Sequence, residues 1–169
     1  KKTIQPGGNI TYGSLQEPNT LNPLLSDYLS AAEVGRLIFS GLTLTNEKGE
    51  WIADLAEEVP NLANGGLSPD GLVVRYKLRK NVKWHDGVPF TANDVKFTWQ
   101  VIASGRLNVV NRDGYDKIAA VDTPDQYTVV IRFREYYAPY LNLFSTILPE
   151  HILAGEPDLN KAPFNRSPI

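Results

Sequence analysis

The apolar and polar positions of the chain change period several times. From Leu72 to Leu78 they alternate: Leu72, Val74, Tyr76 and Leu78 fall on one side, Val73, Arg75 and Lys77 on the other. That period of two marks a strand with one buried face. Tyr127–Phe133 repeats it, with Tyr127, Val129, Ile131 and Phe133 inward, and Lys117–Val121 precedes it across the turn-forming Thr123-Pro124-Asp125-Gln126. Val82–Trp84 reads as a shorter strand ending in the Asp86-Gly87 turn. Leu42–Thr45, the Asn46–Gly49 turn and Trp51-Ile52 read as a strand, a turn and a return, and Asn9–Leu15 as a first short strand.

Two stretches follow the helical period instead. Ser30-Ala31-Ala32-Glu33 has the form of a capping box, in which the serine hydroxyl and the glutamate carboxylate each accept from the other residue's backbone N–H. Val34, Leu37 and Ile38 continue on one face and Gly41 offers a stop, which predicts a helix over Ser30–Ser40. Thr91-Ala92-Asn93-Asp94 is a second start, with Asp94 placed to complement the helix dipole. Val95, Trp99 and Ile102 form its apolar stripe and Gly105 its end, which predicts a helix over Ala92–Ser104. Trp84 and Trp99 lie on apolar faces and are expected to be mostly buried. Tyr136–Phe144 is aromatic and suits a short helix, and beyond Pro149 the chain thins into Pro, Asn and Gly. The strands are mostly turn-connected, so the expected fold class is α+β: a mixed, mostly antiparallel sheet with flanking helices.

Composition narrows the function. Seventeen Lys and Arg against nineteen Asp and Glu leave a net charge of −2 without a basic run, which argues against a nucleic-acid partner. There is no cysteine, hence no disulfide, thiolate metal site or cysteine nucleophile. No apolar run approaches the ~20 residues of a membrane span, and the opening Lys1-Lys2 carries no export signal.

Catalytic signatures are missing. No Gly-x-Ser-x-Gly elbow occurs, and Asn64-Gly65-Gly66 lacks the lysine and helix of a phosphate loop. Glu57-Glu58 are neighbours suited to solvent. His85 beside Asp86 admits a metal or acid–base reading, against which Trp84-His85-Asp86-Gly87 reads as a strand ending in a turn. His151 has no second ligand near it in the sequence. The expectation is a binding module that is not an enzyme and carries no metal or cofactor. The competing class is a metal-assisted hydrolase using His85, Asp86 or His151.

One stretch is far more specific. Tyr76-Lys77-Leu78-Arg79-Lys80-Asn81-Val82-Lys83-Trp84-His85-Asp86-Gly87-Val88-Pro89-Phe90-Thr91-Ala92-Asn93-Asp94-Val95 resembles the "LR-x-x-V-x-W-x-D-G-x-P-x-T-A-x-D" signature of bacterial extracellular solute-binding proteins of family 5, the oligopeptide and dipeptide receptors of ABC transporters. Glu17–Pro23 is similar to that family's "P-x-x-L-D/N-P", Phe39-Ser40-Gly41-Leu42 to its "F-x-G-L", and Ala53–Glu57 to its "P-x-L-A-x-S/E". Ile118–Phe133 is similar to its "I-x-x-V-x-x-x-D-x-x-T-V-x-x-x-L" hairpin, so the likeness runs along nearly the whole chain.

The resemblance implies part of a multi-lobed fold of the type II periplasmic-binding-protein kind. Residues 1–29 would supply the first strand and ligand-side loop of the main binding lobe and 30–169 the accessory lobe, with the third lobe absent from this N-terminal fragment. It implies a peptide, or another small solute such as a nickel chelate or oligosaccharide, trapped between lobes and delivered to an ABC permease in the membrane. The location implied is extracytoplasmic, in a periplasm or on a surface lipoprotein. The family's ligand-side loop maps onto Asp27, Tyr28, Leu29 and Ser30. Asp27 would face a positive side chain, or else simply precede the helix. The 106–111 loop corresponds loosely to a second segment near the cleft.

Overall fold

The computed structural model of the chain describes residues 7–9 and 11–169. A 3-10 turn, Pro23–Leu25, leads into helix α1, Leu29–Ile38. Strands β1, Thr43–Thr45, and β2, Trp51–Ala53, form a small antiparallel ribbon. Then come β3, Val73–Lys77, helix α2, Ala92–Ser104, and the hairpin of β4, Ile118–Asp125, with β5, Thr128–Phe133. A short helix α3, Glu150–Leu153, and two 3-10 turns, Leu159–Lys161 and Pro163–Asn165, close the chain.

β3, β5 and β4 form one antiparallel sheet in that order, with Val74 opposite Ile131 and Tyr76 opposite Val129. The alternation is realised: Val74, Tyr76, Leu78, Val129, Ile131 and Phe133 are buried in one cluster with Val95 and Ile102 of α2. Each such aliphatic side chain contributes roughly 1.5–3 kcal/mol on burial. The opposite face of α2 is also covered. Phe97 and Val101 pack with Leu148, Leu153, Leu159, Ala162 and Phe164, a second core in the stretch whose sequence shows no periodicity. Two buried polar side chains of α2 knit that layer on. Thr98 donates to the Asp94 carbonyl and its hydroxyl accepts from the Leu148 N–H at 2.9 Å, while the Asp94 carboxylate accepts from the Glu150 N–H at 3.0 Å.

α2 begins and ends as expected. The Thr91–Asp94 capping box forms, and Gly105 closes the helix with φ 75°, a left-handed conformation that glycine adopts without Cβ strain. α1 departs from expectation. The Ser30–Glu33 capping box does not form, because the helix starts one residue early, with Tyr28 as N-cap and no side-chain cap bond. Ser26 takes the Tyr28 N–H instead at 3.1 Å, and Glu33 accepts from the Tyr12 hydroxyl at 3.2 Å. The face turned inward carries Ser30, Ala31 and Gly35, since a Cβ on Gly35 would stand 3.2 Å from the Pro23 ring. Leu37, expected in the core stripe, is consequently 84% exposed.

Gly41 is not the helix stop; α1 ends at Ile38, with Phe39 extended as its C-cap. Gly41 is needed for close packing, because a Cβ there would come within 2.7 Å of the Phe144 carbonyl oxygen and the Ser145 Cα. Val82–Trp84 is not a strand but one arm of a tight loop, with Trp84 N–H on the Val88 carbonyl at 2.8 Å and Phe90 N–H on the Val82 carbonyl at 3.0 Å. Its facing arm carries Pro89, which has no N–H to extend a ladder. Residues 9 and 11–15 of the expected first strand are not in a strand, and Ile10 lies outside the described residues. In the aromatic stretch, helical structure is limited to a 3-10 turn, Tyr140–Asn142. Trp84 and Trp99 are half-buried against the main core, each with its indole nitrogen enclosed and unpaired.

Candidate functional site

The Asp27–Ser30 segment sits where the Pro23–Leu25 turn meets α1. The turn is fixed locally: Asn22 accepts from the Leu24 N–H at 3.1 Å, and proline at the first position supplies a preset φ. Leu24 and Leu25 point down as partly buried anchors of the two cores. Asp27, Tyr28 and Leu29 are left outward, Leu29 at 73% exposure. Ser30 is turned inward at 4% exposure, and its hydroxyl has no hydrogen-bond partner. Three of the four expected ligand-side residues thus form a surface ledge, and the fourth lies beneath it.

The 106–111 loop packs on the turn that precedes this ledge. Val110 donates its N–H to the Leu24 carbonyl at 3.0 Å, and Leu24 and Val110 line a cleft of about 290 Å³ with Pro23, Asn111, Asp113 and Tyr137. At its floor the buried Tyr115 hydroxyl accepts from the Phe144 N–H at 2.8 Å, and burial pushes its ionisation up to about 12. A larger opening of about 750 Å³ lies between the end of α1 and the β1–β2 ribbon, with Arg36, Trp51, Asp54 and Asn142 on its walls. None of Asp27–Ser30 lines either space.

The histidines are arranged differently from their sequence neighbours. His151 Nε2 lies 2.9 Å from Asp86 Oδ2, with its ring tilted against Trp84 at 6.2 Å, so α3 is tied to the Trp84–Gly87 turn. Asp86 is held below the usual carboxylate range first by the Val88 N–H and then by His151. This supplies His151 with the partner that sequence proximity did not show, and leaves His85 exposed beside the turn. Among the described residues no group of three or more His, Asp or Glu is placed to hold a metal ion. No helix among them is long and apolar enough to cross a membrane.

Sequence reasoning missed the residues that hold the segments flanking the turn before the ledge. Asn165 binds the 20–22 segment and Asn160 binds the 106–108 segment, both through side-chain amides in a Pro- and Asn-rich stretch that carries no periodic signal.

The fold, a mixed helix and antiparallel sheet assembly, is shared with solved binding proteins of the type II periplasmic kind. The oligopeptide-binding protein AppA of Bacillus subtilis, solved with a nonapeptide, superposes with a TM-score of 0.79 at 33% identity over 90% of this chain and 30% of that one. NikZ of Campylobacter jejuni, solved with Ni(L-His), superposes with a TM-score of 0.78 at 33% identity over 90% of this chain and 29% of that one.

Residues 54–169 match the bacterial extracellular solute-binding proteins, family 5 Middle, and the chain belongs to that family. Against curated sequences it is 35% identical to the Bacillus subtilis oligopeptide-binding protein AppA over 167 residues, 96% of this chain and 30% of that protein. The chain therefore spans about 30% of the length of such relatives. These relatives are binding proteins.

Proposed function

We propose that this chain is part of an extracytoplasmic receptor that hands peptides to an ABC permease, and that it works by binding alone. The observation that carries this is chain-long: similarity to an oligopeptide-binding protein covers 96% of the residues, including the segment that leads to the ledge. Residues 1–29 belong to the main ligand-binding lobe and 30–169 to the accessory lobe. The ligand-side contacts are Asp27, Tyr28 and Leu29, with Ser30 supporting them from below.

The ledge suits an extended peptide. Tyr28 and Leu29 offer exposed apolar surface, and Asp27 offers a negative charge to a basic side chain or amino group. A ledge is half of a site. Ligand held against it alone keeps its other side in water, so firm binding requires a facing lobe that closes over it. A non-peptide solute is the second reading, supported by the equal 33% identity to NikZ, whose solved ligand is a nickel–histidine chelate.

The test is calorimetry on the full-length receptor with a nonapeptide pool and, separately, nickel–histidine. Peptide binding that weakens about tenfold with Asp27→Lys plus Leu29→Ala supports the reading, the loss corresponding to ~1.4 kcal/mol. Saturable binding of the nickel chelate with no response to peptide overturns it in favour of the second.

A further inference from the structure

We propose that Asn165 and Asn160 are positioning residues: together they clamp the 20–25 segment and the 106–111 loop into one rigid wall. The inference rests on the reading of the adjoining Asp27–Leu29 ledge as the ligand side.

Asn165 is buried and uses every polar group it has except its own N–H on neighbours of that wall. Its side-chain oxygen accepts from Asn22 Nδ2 at 2.8 Å. Its backbone carbonyl accepts from the Leu21 N–H at 2.8 Å and from the Thr20 hydroxyl at 2.8 Å. Its side-chain NH₂ donates to the carbonyls of Leu159 at 2.8 Å and Asn160 at 3.2 Å. Asn160 then carries the connection across. Its side-chain oxygen accepts from the Asn108 N–H at 2.8 Å, and its NH₂ donates to the Arg106 carbonyl at 3.1 Å. The circuit closes where Val110 donates to the Leu24 carbonyl at 3.0 Å.

The segments joined are more than eighty positions apart in sequence and share no strand ladder. Short loops of this kind open readily unless something ties them. Asparagine suits the task because one planar side chain both accepts and donates, so it can serve two backbones at once. A hydrogen-bond ring of this sort makes the loosening of one loop felt in the other.

Amide hydrogen exchange by NMR on the chain itself tests this and needs no ligand, so it is independent of whether the wall receives a peptide. Asn160→Ala removes the side-chain bonds to Asn108 and Arg106 and one local bond to Asp158, and leaves the Asn160 carbonyl that Asn165 holds in place. It should raise exchange about tenfold at Asn108 and Val110, and also at Leu21 on the other segment. Asn22→Ala should raise it at Leu21 and, across the clamp, at Asn108. The amides of Val129 and Ile131 in the sheet should stay unchanged. Asn160→Asp, which keeps the acceptor for Asn108 but loses the donor to the Arg106 carbonyl and sets a second carboxylate beside Asp158, should exchange at Asn108 at a rate between those of the native chain and Asn160→Ala. Acceleration confined to the substituted residue's own loop in both variants overturns the proposal. If Asn22→Ala also speeds the sheet amides, the Asn160 pair alone decides.

Discussion

Helix α2 buries Ala92, Asp94, Val95, Phe97, Thr98, Val101 and Ile102, and the Thr91–Asp94 box closes its first turn. Helix α1 buries only Ser30, Ala31 and Gly35, has no side-chain cap, and leaves Leu29 and Leu37 in solvent. The two helices answer different demands. α2 lies between two apolar clusters and holds the sheet to the C-terminal layer, so two of its faces are committed to stability and one stripe, Asn93, Gln100 and Ala103, meets solvent. α1 presses a small-residue face on Pro23, half-buries Val34 and Ile38, and leaves Leu29, in the proposed ledge, and Leu37, two turns on, outward.

The largest expected difference between the helices is in truncation of aliphatic side chains. Ile102→Ala in α2 should cost about 2–5 kcal/mol in denaturant unfolding, the range for emptying a fully buried site. Leu37→Ala in α1 should stay within about 0.5 kcal/mol, as for an exposed position. Equal losses would mean that α1 is as structural as α2.

The caps separate the helices next. Thr91→Ala should cost ~1 kcal/mol, since the Asn93 N–H loses its acceptor. Ser30→Ala should cost nothing measurable or stabilise slightly, because the hydroxyl it removes is buried without a partner. A loss at Ser30 matching that at Thr91 would show that the hydroxyl is in fact bonded, and the contrast in capping would disappear.

The smallest effect is one of pH and belongs to the α2 side. Asp86 ionises below its unfolded value, so its contribution is present above the ordinary carboxylate pKa of ~3.9 and is lost as pH falls through the lower, folded value. Asp86→Asn should therefore lower stability slightly at neutral pH and flatten the acid limb, the two proteins converging below the folded value. The side-chain resonance of Asp86 should titrate below that of an exposed aspartate. An ordinary titration midpoint would remove the hydrogen-bonded turn and its His151 tie from the account.

Much of this organisation is legible in the residues. The alternation at Leu72–Leu78 and Tyr127–Phe133 and the box at Thr91–Asp94 are local signals that the fold obeys, because tertiary packing agrees with them. The Ser30–Glu33 signal is of the same kind and fails, because contact between Gly35 and Pro23 sets how α1 is rotated and Ser26 already serves the Tyr28 N–H. The second core escaped notice because its residues come from 3-10 turns and loops that have no period. The ledge was found only through family resemblance. Asn160 and Asn165 bind the 106–108 and 20–22 segments across long sequence separations through single side-chain amides, which no window of sequence displays.

The central claim is that this chain supplies one wall of a two-sided peptide site. Calorimetry with a nonapeptide pool, on the 169-residue chain and on the full-length receptor in parallel, tests it most directly. Association costs at least ~4 kcal/mol before any contact counts, and an open ledge offers little burial to offset it. The account predicts micromolar or tighter binding by the full-length receptor and no saturable heat from the chain alone. Binding by the chain alone as tight as that of the whole receptor would contradict it, since the complete site would then lie within these residues.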